Sequence, residues 1–165
     1  MAQIARRADV ASATVLNHFP NRDDLDQAIV ERAFAEMRMP DVEIFEGIGS
    51  LTERIRILSR ETGAFNDRGI PWYSMWQRDP MVTGAWASAG AQYGRRWEAL
   101  VRAALGPLAD DRDAAALLNA AMDWRFFEVL RQDGRTTEQA ADLAAAGISP
   151  WLEARLATSV AGLLP

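Results

Sequence analysis

Polar side chains near the start of the chain follow one another at spacings of three and four residues. Thr14 precedes Asn17 by three residues and His18 by four, and Ser12 and Ala13 come just before them. In a helix, this spacing places the residues on or near one face. Thr14 and Asn17 can hydrogen-bond to base edges in the major groove or to phosphates. The pattern therefore predicts a face that can contact nucleic acid.

The flanking residues predict two short helices joined by a tight turn. Residues 2–8 favour a helix, the next two residues interrupt it, and a second helix follows over residues 12–18. The second helix ends before Pro20, because the residue preceding a proline is disfavoured in helical geometry. Asn21 is a good N-cap for a third helix with an acidic first turn. This arrangement is typical of a helix-turn-helix, and Gln3 on its first helix could reach the nucleic-acid backbone.

The segment resembles the DNA-binding motif of the TetR family of transcriptional regulators. The residues that carry the resemblance are Ile4, Ala5, Ala8, Val10, Thr14, Val15, His18, Phe19, Pro20, Asn21, Arg22 and Leu25. It implies an all-α, TetR-like fold, with an incomplete helix-turn-helix domain and linking helix over residues 1–39 and a ligand-binding and dimerisation domain over residues 40–165. It also implies that His18 and Arg22 each contact a phosphate. A partly buried His18 ring that caps its own helix is the alternative.

The chain also departs from the TetR pattern. No counterpart of the family's first helix precedes the motif, so we expect weak or absent operator binding by these 165 residues. Asp9 stands where the family often has Gly, and Asp tolerates the left-handed conformation at modest cost. Leu16 stands where the family usually has a Tyr whose hydroxyl meets a phosphate. One interpretation is that the chain is a regulator whose annotated or expressed start lies inside the DNA-binding domain. The other is a dimeric small-molecule-binding protein of TetR descent that no longer binds DNA.

Composition limits the classes of protein to consider. A chain with 49% hydrophobic and 25% charged residues is ordinary for a globular protein. The net charge of −5 argues against non-specific coating of nucleic acid, although residues 1–22 hold three arginines against one aspartate. No stretch approaches the ~20 apolar residues of a membrane span, and no signal-peptide pattern occurs. With no cysteine, disulfides and thiolate metal sites are excluded. We expect a cytoplasmic protein with no membrane partner.

Beyond the motif, helix signals alternate with breakers, and no strand signal survives. We predict helices over residues 21–39, 50–62, 72–79, 83–105, 110–132 and 136–165. Ser50 with Glu53 and Thr136 with Gln139 are capping boxes that begin two of them. Gly63 is expected to end the predicted helix over residues 50–62.

The C-terminal part also contains small-residue runs and further breakers. Pro71 is expected to begin the predicted helix over residues 72–79. Gly147 and Pro150 are expected to interrupt the predicted helix over residues 136–165. Alanine runs at residues 114–116, 120–121 and 140–146 would let two helices approach a partner copy closely. In the TetR family the last two long helices of each protomer form a four-helix bundle, so we predict a homodimer. A monomer core of the same composition is the alternative.

All six tryptophans lie beyond residue 71, together with both tyrosines. Small-molecule sites are concave and mostly apolar with a few polar groups, and Trp and Tyr supply both kinds of surface. We predict that a small apolar or aromatic effector binds at Trp72, Met75, Trp76, Trp86, Tyr93, Trp97, Met122, Arg125 and Phe126. Arg125 falls on the apolar side of its predicted helix and would need a partner, either a ligand carboxylate or a carboxylate of the chain. The alternative is that the rings are simply core.

The residues give little support to an enzyme. The single histidine lies in the helix-turn-helix, no cysteine nucleophile exists, and no Gly-rich phosphate loop follows a strand. We therefore predict no enzymatic activity, no cofactor and no metal. The predicted function is a DNA-binding transcriptional regulator that acts as a repressor. Its predicted partners are operator DNA, a small-molecule effector and a second copy of the chain.

Overall fold

A computed structural model describes the backbone of residues 1–78 and 84–161 and the side chains of residues 1–72 and 84–159. The described chain contains helices and their connections, with no strand among these residues, so the all-α prediction is confirmed. The α-helices are α1 Ala2–Ala8, α2 Ser12–His18, α3 Arg22–Met37, α4 Leu51–Arg78, α5 Gly84–Leu105, α6 Arg112–Met122, α7 Trp124–Arg131 and α8 Thr137–Ala161. Short 3-10 helices span Val42–Phe45 and Gly106–Leu108.

The first two helices form a compact helical hairpin that we call the head, residues 2–18. Asp9 joins them in the left-handed conformation, with φ 55° and ψ 45°, which is the geometry expected of the residue that replaces Gly. Ala5 and Val15 are the buried residues of the head. Asn21 caps α3 as predicted, because its side-chain oxygen accepts a hydrogen bond of 2.9 Å from the Asp24 amide.

Helix α4 is longer than the sequence predicts. It runs through both Gly63 and Pro71, at which we expected a helix to end and a new one to begin. A glycine costs a helix interior about 1 kcal/mol relative to alanine. Burial outweighs that cost here, since Ile55, Leu58 and Phe65 are at most 2% exposed. The predictions at Gly63 and Pro71 were therefore wrong.

The predicted helix over residues 110–132 is two helices. Asp123 adopts an extended conformation (φ −65°, ψ 139°), and its carboxylate accepts a 2.8 Å hydrogen bond from the Arg125 amide. Asp123 therefore ends α6 and caps α7. The cap of α6 is Asp111, which accepts from the amides of Asp113 and Ala114 at 3.0 and 3.1 Å.

Helix α8 begins at the predicted capping box and continues past both predicted breakers. The Thr136 amide donates to the Gln139 side chain at 2.9 Å, and the Gln139 amide donates to the Thr136 hydroxyl at 3.2 Å. The helix then runs unbroken through Gly147 and Pro150. The predicted interruption there was wrong.

The longest interface of the fold joins α4 to α8. Small residues of α8 lie flat against α4: Ala140, Ala141, Ala144 and Ala145 are at most 4% exposed. The buried Ser59 hydroxyl donates to the Ala141 carbonyl at 2.7 Å across this interface. These four alanines therefore pack within the chain, whereas Ala116, Ala120 and Ala146 are exposed, and the homodimer stays a prediction. No helix in the described ranges is both long and apolar enough to cross a membrane.

Candidate nucleic-acid face and candidate small-molecule cavity

The predicted nucleic-acid face lies at the surface of the head. Val15 is only 7% exposed and fixes α2 against α1. The predicted contact residues are all exposed: Gln3, Ser12, Ala13, Thr14, Asn17, His18 and Arg22. The burial of Val15 and the exposure of its neighbours orient the polar side of α2 outwards.

His18 lies at the end of this face. Its ring is exposed and 6.3 Å from the Phe19 ring, at a tilt of 51°. The end of α2 is closed by the Phe19 amide, which donates to the Val15 carbonyl at 2.8 Å. The structure therefore argues against a partly buried His18 that caps its own helix. The imidazole is placed where a ligand could reach it.

Arg22 differs from the other predicted contact residues because it already binds a carboxylate. Its Nε lies 3.1 and 3.2 Å from the two oxygens of Asp26, which is 1% exposed. A buried carboxylate left without its cation is costly. Arg22 therefore stabilises the start of α3, and any phosphate would share the guanidinium with Asp26.

Arg6 and Arg7 add positive charge that the predicted contact list lacks. Both are exposed on the last turn of α1. Neither forms an ion pair with the residues that the structure describes. Their signal in the sequence was the excess of arginine over aspartate in residues 1–22.

Apolar side chains also lie at the surface of the head. Ile4, Val10 and Leu16 are 40%, 43% and 45% exposed. Leu16 has no polar atom to offer a phosphate at the position where the TetR pattern has a tyrosine hydroxyl. The head therefore combines polar, basic and apolar surface.

The predicted aromatic cluster is partly a packed stack. The Tyr93 ring lies 5.9 Å from Phe65, 6.4 Å from Phe34 and 6.4 Å from Trp97. The Trp97 indole N–H donates to Asn119 Oδ1 at 2.6 Å. Burial raises the pKa of the Tyr93 hydroxyl, and the nearby charge of Asp123 raises it further. Tyr93 and Trp97 therefore join α5 to its neighbouring helices.

The remaining predicted effector residues are dispersed. Met122 is 3% exposed in the core, whereas Phe126 is 41% exposed on α7. Trp72 and Trp86 are half-buried. The side chains of Met75 and Trp76 lie outside the described residues.

Arg125 is not buried, contrary to the prediction. Its side chain is 71% exposed, lies 4.9 Å from the centre of the Trp124 ring, and is 3.8 Å from the Asp123 carboxylate. The prediction failed because the break at Asp123 changes which residues of α7 face inwards. A single helix over residues 110–132 would place Arg125 on the apolar face.

A cavity of about 710 Å³ lies between α4, α7 and the start of α8. Its lining residues are Gly63, Asn66, Asp67, Ile70, Trp124, Phe127, Glu128, Arg131, Gln132, Gly134, Arg135 and Thr137. None of the predicted effector residues with a described side chain is among them. Sequence reasoning missed this cavity because it forms where α7, redirected by Asp123, faces α4.

A hydrogen-bonded network crosses the base of the cavity. Arg131 Nη1 donates to Asp67 at 2.5 Å, and the Thr137 hydroxyl donates to the other oxygen of the same carboxylate. These bonds connect α4, α7 and α8.

Comparisons of the chain with protein-family models, with curated proteins and with solved structures give no match.

Proposed function

We propose that the chain is a DNA-binding transcriptional regulator of the TetR type, which acts as a homodimeric repressor and is controlled by a small-molecule effector bound in the helical body. One observation carries the proposal. The turn at Asp9 and the buried Val15 hold α2 so that Thr14, Asn17 and His18 lie together at the surface. A short helix with polar groups on its outer side can enter the major groove of DNA and hydrogen-bond to base edges.

Charge supports this use of the head. The chain carries a net charge of −5, yet Arg6 and Arg7 are exposed on the last turn of α1, the helix that precedes α2. Phosphate contacts supply most of the affinity and the salt dependence of DNA binding. The acidic body would disfavour non-specific association, so binding would depend on the head.

Helix α3 is the route by which an effector could act on DNA binding. It follows the head directly and packs on both α4 and α5, with Val30, Ala33 and Met37 at most 5% exposed. An effector changes DNA affinity only if it binds more tightly to one arrangement of the two heads in a dimer. A shift of α4 or α5 on effector binding would be passed to α3 by these buried contacts.

A second copy of the chain would cover apolar side chains on the surface of the body. Those on α6, α7 and α8 are Leu117, Phe126, Val129, Leu143 and Trp151, which are 40% to 58% exposed. Removal of exposed apolar surface from water favours association of two copies. In the alternative function, this dimer binds a small molecule without DNA, and the exposed Leu16 and the Arg22–Asp26 pair favour that reading.

Selection of DNA from a random pool, at low salt, tests the proposal. The wild-type chain should enrich a sequence with two related half-sites, and fluorescence anisotropy should show weak binding to it. Thr14→Ala and Asn17→Ala should each weaken that binding about tenfold, since a base contact contributes about 1–3 kcal/mol. Thr158→Ala is a matched control, because Thr158 is exposed near the end of α8 and its hydroxyl donates to the Ala154 carbonyl of the same helix.

The outcomes separate the two functions. Enrichment that is lost in the head variants and kept in Thr158→Ala supports a regulator. A folded dimer that enriches no sequence, or that binds equally with Thr14→Ala and Asn17→Ala, contradicts it and favours the alternative.

A further inference from the structure

We propose that the cavity between α4, α7 and α8 binds an amphipathic organic cation, that is, an aromatic body with one ammonium group. The inference deepens the effector part of the proposed function and rests on it for the consequence of binding, while the site is argued from its own residues. The volume of about 710 Å³ lies within the range of about 300–1,000 Å³ that small-molecule pockets occupy.

Two helix faces form the walls of the cavity. On α4, Gly63, Asn66 and Ile70 follow one another at spacings of three and four residues, and on α7 Trp124 and Phe127 are three residues apart. Phe127 is 3% exposed at the base, whereas Ile70 is 51% exposed at the rim. The walls therefore offer a flat aromatic ligand three large apolar side chains, Ile70, Trp124 and Phe127, among polar ones.

The arginines of the cavity already have acidic partners. Arg131 binds Asp67 at 2.5 Å. Arg135 lies 3.0 Å from the Asp133 carboxylate and also donates to the Leu130 carbonyl at 3.2 Å. An anionic ligand would have to share each guanidinium with a carboxylate of the chain. The cavity therefore offers an anion no arginine whose charge is unpaired.

Glu128 is the acidic group of the cavity that remains available. Its side chain is exposed, and its carboxylate makes no hydrogen bond or ion pair with the part of the chain that the structure describes. It lies one helical turn after Trp124 and beside Phe127 in the sequence. A carboxylate next to aromatic rings attracts a cation both by charge and through the ring faces. Glu128 would hold the ammonium group while Trp124 and Ile70 contact the ligand body.

Three indole compounds that differ in charge test this assignment by isothermal titration calorimetry near neutral pH. Tryptamine is cationic, tryptophol is neutral and indole-3-acetate is anionic, and all three share one ring system. Tryptamine should bind about tenfold more tightly than tryptophol, because a hydrogen bond to a charged group contributes about 1.5–3 kcal/mol. Indole-3-acetate should bind most weakly.

Glu128→Gln keeps the size of the side chain and removes its charge. This variant should lose about tenfold in affinity for tryptamine while its affinity for tryptophol stays the same. Glu98→Gln is the matched control, since Glu98 is exposed on α5 and does not line the cavity. An unchanged thermal midpoint by circular dichroism would show that Glu128→Gln is folded.

Several results would overturn the proposal: no saturable binding of tryptamine, tightest binding of indole-3-acetate, or equal tryptamine affinity in wild type and Glu128→Gln. The titrations contain no DNA. A failure here therefore leaves the head's proposed role intact, and a failure of DNA selection leaves the cavity's proposed ligand intact.

Discussion

At the scale of single residues, Gly63 sets the distance at which three helices meet. A Cβ atom at this position would lie 2.9 Å from Thr137 Cγ2 and 3.1 Å from Phe127 Cε1. Thr137 is held by its hydrogen bond to Asp67, and Phe127 is buried. Neither neighbour can move away easily.

Gly63→Ala should therefore lower the free energy of unfolding by about 1–3 kcal/mol, because overpacking outweighs the gain in helix propensity. Gly90→Ala on α5 is the control, since a Cβ there meets nothing within 4 Å, and it should be neutral or stabilising by up to about 1 kcal/mol. Urea denaturation followed by circular dichroism measures both. A stabilised Gly63→Ala would contradict the close packing described for α4.

Arg22 has a partner in the structure that the resemblance to the TetR motif does not predict. The resemblance predicts a phosphate contact, whereas the structure shows an ion pair with the buried carboxylate of Asp26. Substituting Arg22 would therefore disturb the start of α3 as well as any DNA contact. Thr14 and Asn17 are better probes of the proposed DNA face, because neither side chain has such a partner among the residues that the structure describes.

At the scale of elements, two aspartates form ion pairs with arginines of α8 and α4. Arg155 binds Asp111 at 2.6 Å, and Arg60 binds Asp142 at 2.8 Å. The hydrogen bond from Arg155 holds the pKa of Asp111 below its usual value, and that from Arg60 does the same for the pKa of Asp142. These carboxylates therefore bind protons less readily in the folded chain than in the unfolded one.

The chain should consequently lose stability in acid. The contribution of these pairs is complete above the unfolded pKa of about 3.9 for aspartate and disappears as the pH falls through the lowered folded pKa. As the pH is lowered below about 4, the urea midpoint of the double variant Asp111→Asn/Asp142→Asn should fall less steeply with pH than that of wild type. Asp110→Asn is the control, because the ion pair of Asp110 with Arg102 is exposed, with the Asp110 side chain 91% exposed, and exposed pairs contribute little to stability. Equal slopes for the double variant and wild type would contradict this account.

Helix starts could be predicted from the sequence because capping is local. Asn21 and the Thr136–Gln139 box act as their side-chain chemistry indicates. Helix ends were harder, because Gly63 and Pro150 are breakers only where burial is weak, and burial depends on the whole fold. The end of α6 at Asp123 carried a local signal, since aspartate is a good N-cap, but the apolar residues on both sides favoured a single helix.

At the scale of the whole molecule, the all-α class and the position of the head follow from the sequence, whereas the cavity does not. The head is continuous in sequence, and α1 and α2, which contact each other, are joined by the single turn at Asp9 and Val10. The cavity brings together Asp67, Arg131 and Thr137 from three helices. Its existence depends on the angle between α6 and α7, which no spacing within either helix specifies.

The central claim is that the outer side of α2 contacts DNA. The most direct measurement is backbone amide NMR of the full chain titrated at low salt with the duplex that selection enriches. The account predicts shifts concentrated in residues 3–18, with saturation that is lost as salt is raised. Shifts confined to the body, or none in α2 at saturating duplex, would contradict it.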